Sequence, residues 1–408
     1  MSKNTLPAIT LNCIVKNESK VIARMLKSVS KLIDYYVIVD TGSTDNTKEI
    51  IKSTMDELGI PGEIHDHEWV NFCTARNFAL DCLKGKGEYA FWIDADEQII
   101  YNEKFNKDVL ITKLRNGNFN QGSTEVEYGN QKYFRSQIFK VDVDWQWRGA
   151  VHEIMFAPEG FPVNGCMIQG FHTLVTPDGA SWGDGSKETQ IKKYLEHAEM
   201  IKEYIKTDKD PRWLFYLAQS YRDAFEHKLA AECYAKRVEI TEGYWEERYF
   251  SQLMVANMKA HLKTPIGEVV HEFVKASKYD PNRCCHLVPV IKQYQSTKDY
   301  SMSYMYSKYC LDNFSKNPFP KSTLFIDNST YDWVLLDLHC VNCYWIGKYT
   351  EAKSTYNKLR KALHKGLIPE SQHTRIKDNE KWYNKSHVDE MNKRAKLQKQ
   401  QSARPASV

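Results

Sequence analysis

The chain has 408 residues, 42% hydrophobic and 26% charged, which is enough for a large buried core and favours more than one domain. Its 56 basic and 52 acidic side chains leave a net charge of +4, too small an excess to imply a nucleic-acid partner. The start, MSKNTLPAITLNCIVKNES, lacks the cationic and long apolar segments of a secretory leader. No later run reaches the roughly 18 apolar residues of a membrane helix, so a cytoplasmic protein is expected.

In chain order, ITLNCIV (Ile9–Val15), YYVIVD (Tyr35–Asp40) and EYAFWID (Glu88–Asp94) alternate with helix-like stretches such as Lys20–Ile33. That alternation predicts βαβ units and a mainly parallel α/β sheet, with its ligand site beyond the C-terminal strand ends, where VDTGSTD and IDADE fall. The later runs YFRSQIFKVDVDWQWRG and HEIMFA read as added strands, followed by the Gly-rich loop PDGASWGDGS (Pro177–Ser186). After Lys187 apolar residues recur at three- and four-residue spacing, which predicts an all-α region. Two of its segments resemble each other: Tyr221, Ala230 and Tyr234 in one, and Tyr344, Gly347, Ala352 and Tyr356 in the other. Small residues where paired helices touch suit stacked, tetratricopeptide-like hairpins. The expected organisation is residues 1–185 α/β, 186–385 helical and repeat-like, and 386–408 a polar, basic, disordered tail.

Ten cysteines at irregular spacing fit reduced thiols better than a disulfide framework. Cys340 and Cys343 stand at metal-ligand spacing, but without a second pair they read as core cysteines on a helix. The stretch FWIDADEQI (Phe91–Ile99) places Asp94, Asp96 and Glu97 within four residues, with no lysine or arginine just before them. On a strand, Asp94 and Asp96 face the same side. Two such carboxylates repel, and a hard divalent cation, Mn2+ or Mg2+, is the usual remedy, although an isolated Asp-x-Asp also serves as a helix cap or turn.

Four further segments give the acids a context: VKNES (Val15–Ser19), VIVDTGSTDNT (Val37–Thr47), FCTARNFAL (Phe72–Leu80) and WRGAVHE (Trp147–Glu153). With IDADE, over residues 8–175, the chain resembles the inverting, family-2 glycosyltransferases of the GT-A fold. The helical part looks like the region attached to such enzymes in some bacteria and giant DNA viruses. The resemblance implies a GT-A, Rossmann-like domain that binds a nucleotide-sugar, with a UDP-sugar as the expected donor, a divalent metal as cofactor, and a glycan, protein or lipid acceptor. The helical domain would select the acceptor, bind a protein partner or form a homodimer.

The same resemblance implies the residue roles. Asp40 would bind base or ribose, unless its carboxylate serves only an Asx-turn. Arg76 would bind base or diphosphate, with a salt bridge to Asp81 or Glu68 as the competing role. Asp94 would contact ribose and metal, Asp96 would ligate the metal directly, and His172 would complete the coordination unless it is structural. Trp147, with Trp145, would line the sugar or pack in the core. Glu153 would be the base that takes the acceptor's proton; a glutamate with an ordinary pKa near 4.3 is already ionised at neutral pH. Two other classes remain open. A scaffold built on a retired transferase domain would show damaged acids, and all are present. A sugar-nucleotide nucleotidyltransferase needs a Gly-rich, basic N-terminal loop that LNCIVKNES does not supply.

Overall fold

A computed structural model describes residues 6–129, 131–314 and 324–402. The chain divides into two compact units, Met1–Lys209 with Asp223–Phe225, and Asp210–Arg222 with Glu226–Val408.

The first unit holds β1 (Ile9–Val15), α1 (Ile22–Val29), β2 (Tyr35–Asp40), α2 (Thr47–Leu58), β3 (Gly62–Asp66), α3 (Phe72–Leu83), β4 (Tyr89–Trp92), β5 (Glu97–Tyr101) and α4 (Lys107–Asn116). It continues through β6 (Gln121–Tyr128), β7 (Gln131–Lys140), β8 (Gln146–Arg148), β9 (Ile154–Phe156), β10 (Gly165–Val175) and α5 (Lys187–Tyr204). One eight-stranded sheet runs in the order β3-β2-β1-β4-β7-β6-β10-β5, and β8 and β9 form a separate hairpin. β3, β2, β1 and β4 are parallel, as crossover helices require, whereas β7 runs antiparallel to β4 and β5 antiparallel to β10. Alternation along β2 sends Ile38 into the core beneath α1 and α2, and Val37 into a second core with Cys73, Trp92, Trp145 and Trp147. The α/β class is as expected, and the parallel strand ends bring Asp40 and Asp94 to one edge.

The boundary expected at 185/186 moves to 209/210, because α5 packs with the first unit. Gln190 Nε2 donates to Trp182 O at 3.1 Å, Gly149 N donates to the Tyr204 hydroxyl at 3.0 Å, and Arg148 pairs with Asp208 at 2.7 Å. The change to helical periodicity marks where helices begin; compactness depends on where α5 buries its apolar face.

The second unit holds α6 (Pro211–Asp223) up to Arg222, α7 (His227–Glu239), α8 (Trp245–His261), α9 (Ile266–Lys275), α10 (Leu287–Ser296), α11 (Tyr300–Phe314), α12 (Leu335–Trp345), α13 (Tyr349–His364) and α14 (Glu370–Ser402). The disordered tail expected from residue 386 is corrected over 386–402, which continue α14; residues 403–408 lie outside the described residues. Lys, Arg, Gln, Glu and Ala propagate an existing helix readily, and elongation avoids the unfavourable nucleation step.

The two similar segments found in the sequence have a third counterpart. Phe225 (φ 62°) and Gly347 (φ 78°) each stand five residues before a buried alanine, Ala230 or Ala352, and nine before a buried tyrosine, Tyr234 or Tyr356. Lys298 (φ 63°) stands at the same distances before Ser303 and Ser307, both fully buried. Lysine at the position of Gly347 and serine at those of both the alanine and the tyrosine hide this copy. Because Lys298 is exposed, Lys298→Gly relieves left-handed strain without loss of packing. A gain of about 0.5–1 kcal/mol is expected in chemical unfolding. Gly347→Ala should lose a similar amount, because no atom lies within 4 Å of an added Cβ and only the φ opposes it.

Candidate active site

The turns that end β1 and β2 are stitched together. Asn17 N donates to Ser43 Oγ at 2.9 Å, Glu18 N to Thr47 Oγ1 at 2.8 Å, Ser19 N to Asp45 Oδ2 at 3.2 Å, and Thr44 N to Asn17 Oδ1 at 2.7 Å. Ser, Thr, Asn and Asp recur there because short polar side chains satisfy turn backbone. Asp40, 1% exposed, uses Oδ1 in an Asx-turn to Gly42 N (2.9 Å) and Ser43 N (2.7 Å). Its Oδ2 is buried with no hydrogen-bond partner among the described residues. Thus the turn role weighed for Asp40 is present, and one oxygen remains for a further partner. Gly42, at φ +99°, makes the reversal that a side chain would strain.

Arg76 is the hub. Asn71 caps α3 by accepting from Thr74 N at 2.9 Å, and one turn on, Arg76 enters the protein with its side chain 6% exposed. Its NH2 group meets Asp94 Oδ1 and its Nε meets Glu153 Oε1, both at 2.6 Å. The guanidinium lies 4.7 Å from the Trp92 ring centre and 5.1 Å from that of Trp147, whose planes are nearly perpendicular. A planar cation between aromatic faces keeps its edges for carboxylates. The pairing considered with Asp81 or Glu68 is replaced by these two acids.

The charges of the IDADE segment are resolved unequally. Burial pushes the Asp94 carboxyl up, but Arg76 and Arg135 outweigh it and hold the group below its ordinary value. Glu97, 2% exposed, takes both arms of Arg135 at 2.9 and 2.6 Å and is a structural acid. Asp96 has no cation at ion-pair distance among the described residues. Burial first, then the charges of Asp94 and Glu18, push its pKa up to about 6, against a hydrogen bond from Trp182 Nε1 at 3.2 Å. Lys193, 4.4 Å from the Trp182 ring centre, acts on Asp96 only through space. The loop above Asp96 is anchored by Arg24, which grips Asp178 through two 2.6 Å bonds, and by Ala180 N, which donates to Glu18 at 3.0 Å.

Trp147 is 4% exposed and lies in the core under Arg76; Trp145 is 6% exposed. The open sugar platform expected of Trp147 is corrected to a buried support, held by Asn77, which donates to Trp147 O at 2.9 Å and accepts from Trp147 N at 2.8 Å. Glu153, with its side chain 12% exposed, follows His152, which adopts φ 56°, so the loop rather than strand alternation aims the acid at Arg76. His172 lies within β10 opposite Ile100, its Nε2 3.8 Å from Glu127. Asp94, Asp96 and His172 do not bring their ligand atoms within 4.8 Å of one another. The three-residue metal set is therefore not assembled: the Val175–Glu97 pairing places His172 three residues up the strand from the acids. The two aspartates fit a hard cation, since they offer oxygen donors and Asp96 has no cation at ion-pair distance among the described residues; His172 does not fit. Sequence reasoning missed Trp92, Arg135 and Trp182. All three stand in stretches singled out as strands or loops, as Asn77 and Glu18 stand in the motifs, but nothing local shows that their side chains turn toward Arg76, Glu97 or Asp96.

The partly parallel α/β sheet, with Asp94 and Glu153 converging on one buried arginine, is a GT-A-like fold. Residues 13–147 match the family described as "Glycosyl transferase family 2". The chain is 26% identical over 262 residues to the SPbeta prophage-derived glycosyltransferase SunS of Bacillus subtilis (strain 168), covering 62% of this chain and 58% of that protein. It is 31% identical over 100 residues to the uncharacterized glycosyltransferase RC0292 of Rickettsia conorii, covering 24% and 32%. The solved structure of S. aureus TarS aligns with a TM-score of 0.35 at 13% identity, over 66% of this chain and 55% of that one. The chain thus spans little more than half the length of the curated relatives first matched. Among the described residues no helix is long and apolar enough to cross a membrane.

Proposed function

We propose that the protein transfers a sugar from a nucleotide donor, a UDP-sugar, to an acceptor hydroxyl with inversion. The observation that carries this reading is the single guanidinium that holds Asp94 and Glu153 on two of its edges beside the uncompensated Asp96. A divalent cation held by Asp94 and Asp96 would stabilise charge on the leaving diphosphate. Asp40 Oδ2, buried and unpartnered, is suited to a donor N–H or hydroxyl of base or ribose. Arg76 fixes Glu153 by Oε1, which leaves Oε2 to take the acceptor's proton. The acceptor oxygen then bonds to the anomeric carbon, the carbon–diphosphate bond breaks, and the nucleoside diphosphate leaves with the electron pair.

Glu153→Gln tests the base. It keeps a hydrogen-bond acceptor for Arg76, so the thermal response to UDP and manganese should persist, while turnover of UDP-sugar falls by about 10²–10⁴-fold. Normal turnover by the variant, or a parent product whose transferred sugar retains the donor's anomeric configuration, would refute the assignment.

A further inference from the structure

The sequence draws attention to Cys340 and Cys343 by their spacing, but the fold sends the two thiols to different surroundings. Cys340 Sγ faces the carbonyl of Ala352 at 3.7 Å. Cys343 lies one turn after His339 on α12, so the two share a helix face, and α13 brings Glu351 to the same point. A ring nitrogen of His339, the sulfur of Cys343 and a carboxylate oxygen of Glu351 all lie within 4.8 Å of one another, and His339 and Cys343 are 1% and 0% exposed. We propose that this trio is a zinc site in the helical unit, with three protein ligands and a fourth position open to the cavity that His339 and Glu351 line.

The donor set selects the metal. Thiolate, imidazole and carboxylate suit Zn2+, whereas the all-oxygen pair in the first unit suits a harder cation. Four-coordinate zinc places its ligand atoms under 4 Å apart, a small contraction for the 13-residue link between His339 and Glu351 across two packed helices. The cavity, about 920 Å³, admits water or a small ligand to the remaining position.

The surrounding hydrogen bonds are those an imidazole ligand needs. Ser307 Oγ lies 2.8 Å from His339 Nδ1, accepts from Asn342 Nδ2 at 3.0 Å, and reaches Tyr304 O at 3.1 Å. Without metal, the Ser307 hydroxyl donates to Nδ1, and Nε2–H donates to Glu351 Oε1 at 3.2 Å. With metal at Nε2, the imidazole proton sits on Nδ1 and donates to Ser307, whose own proton turns to the Tyr304 carbonyl. Both tautomers are thus satisfied, and the ring is held in one orientation. Glu351 Oε2 is positioned by the Tyr304 hydroxyl at 2.9 Å. Lys308, 3.2 Å from Glu351, also lies 3.1 Å from Asp312 and stays paired if the cation takes Oε1. One proton leaves the Cys343 thiol for solvent as its sulfur binds the metal.

The test uses the full chain carrying Asp96→Asn, which weakens the first unit's cation site. After chelator treatment it is titrated with Co2+ as a spectroscopic probe of a zinc site. One Co2+ per chain should bind with a thiolate-to-cobalt charge-transfer band and tetrahedral visible bands, and one equivalent of Zn2+ should abolish them. Cys343→Ser should lose the charge-transfer band, Cys340→Ser should keep it, and Ser307→Ala should weaken affinity about 10–100-fold. No uptake, a cobalt complex without thiolate character in the parent, or a band that survives Cys343→Ser and vanishes with Cys340→Ser overturns the proposal. If Cys343→Ser fails to fold by circular dichroism, the parent's own band still decides.

Discussion

Asp96→Asn is expected to stabilise the ligand-free protein at about pH 7.5 while removing its response to manganese and UDP. The folded carboxyl titrates at about 6 against an ordinary value of 3.8, so between those values the native state binds the proton more tightly than the unfolded chain. The stability of the parent therefore falls as pH rises from about 4 to about 6, and remains lower above that range. Discounted for partial solvent screening, the penalty is about 2 kcal/mol, which the amide avoids while still accepting from Trp182. In the parent, a ligand at about a hundred times its dissociation constant adds roughly 2.7 kcal/mol. The variant should lack that increment and lose turnover by about 10²–10³-fold. Melting curves across pH, with and without manganese and UDP, decide the matter. A variant less stable than the parent at every pH, with its nucleotide response intact, would show that Asp96 is an ordinary surface acid. Below about pH 6 the parent should also bind metal more weakly, because Asp96 takes up a proton.

Arg76→Met is expected to be the most damaging single change in the first unit, with a loss of about 3–5 kcal/mol and of turnover together. Methionine fills much of the volume between Trp92 and Trp147 but leaves Asp94 and Glu153 without their shared cation. Arg76→Lys should rescue little, because one ammonium cannot hold both acids at 2.6 Å from separate edges. Adding Asp94→Asn and Glu153→Gln to Arg76→Met removes the unpaired charges and should recover most of the stability but none of the turnover. This non-additivity separates a charge-pair hub from a packing residue, for which the three changes would add.

Much of the fold could be read locally. The apolar runs of β1, β2 and β4 and the polar turns after them follow rules that operate over a few residues, and they announced the α/β sheet and its strand-end acids. Asp40, Arg76, Asp94, Asp96 and Glu153 were also marked in advance. The partners were not, because the Arg76–Glu153 and Glu97–Arg135 contacts join residues 77 and 38 positions apart with no periodic signal between them. Sugar platform and core packing stay open for Trp147 in the sequence, because it reports that a ring is aromatic but not which side of the sheet is closed over it; burial at 4% exposure decides for the core. His172 was chosen by analogy, and its distance from the acids follows from the register of β10 on β5, which hydrogen bonding sets once the strands have met.

The helical unit divides in the same way. Polar, basic composition reads as a tail from residue 386, whereas residues 386–402 continue α14, because elongating an existing helix avoids the nucleation step that composition does not register. Cys340 and Cys343 carry the same local spacing signal, and only the packing of α12 against α13 decides that Glu351 joins His339 and Cys343 while Cys340 faces a carbonyl. The sequence by itself therefore determined the elements, the turn chemistry and most of the acids. Tertiary structure decided which acids are neutralised, by Arg76 and Arg135, and which one, Asp96, is left charged and half-buried. Local propensity is a property of a few adjacent residues, whereas charge compensation depends on distances that exist only after the chain has closed on itself.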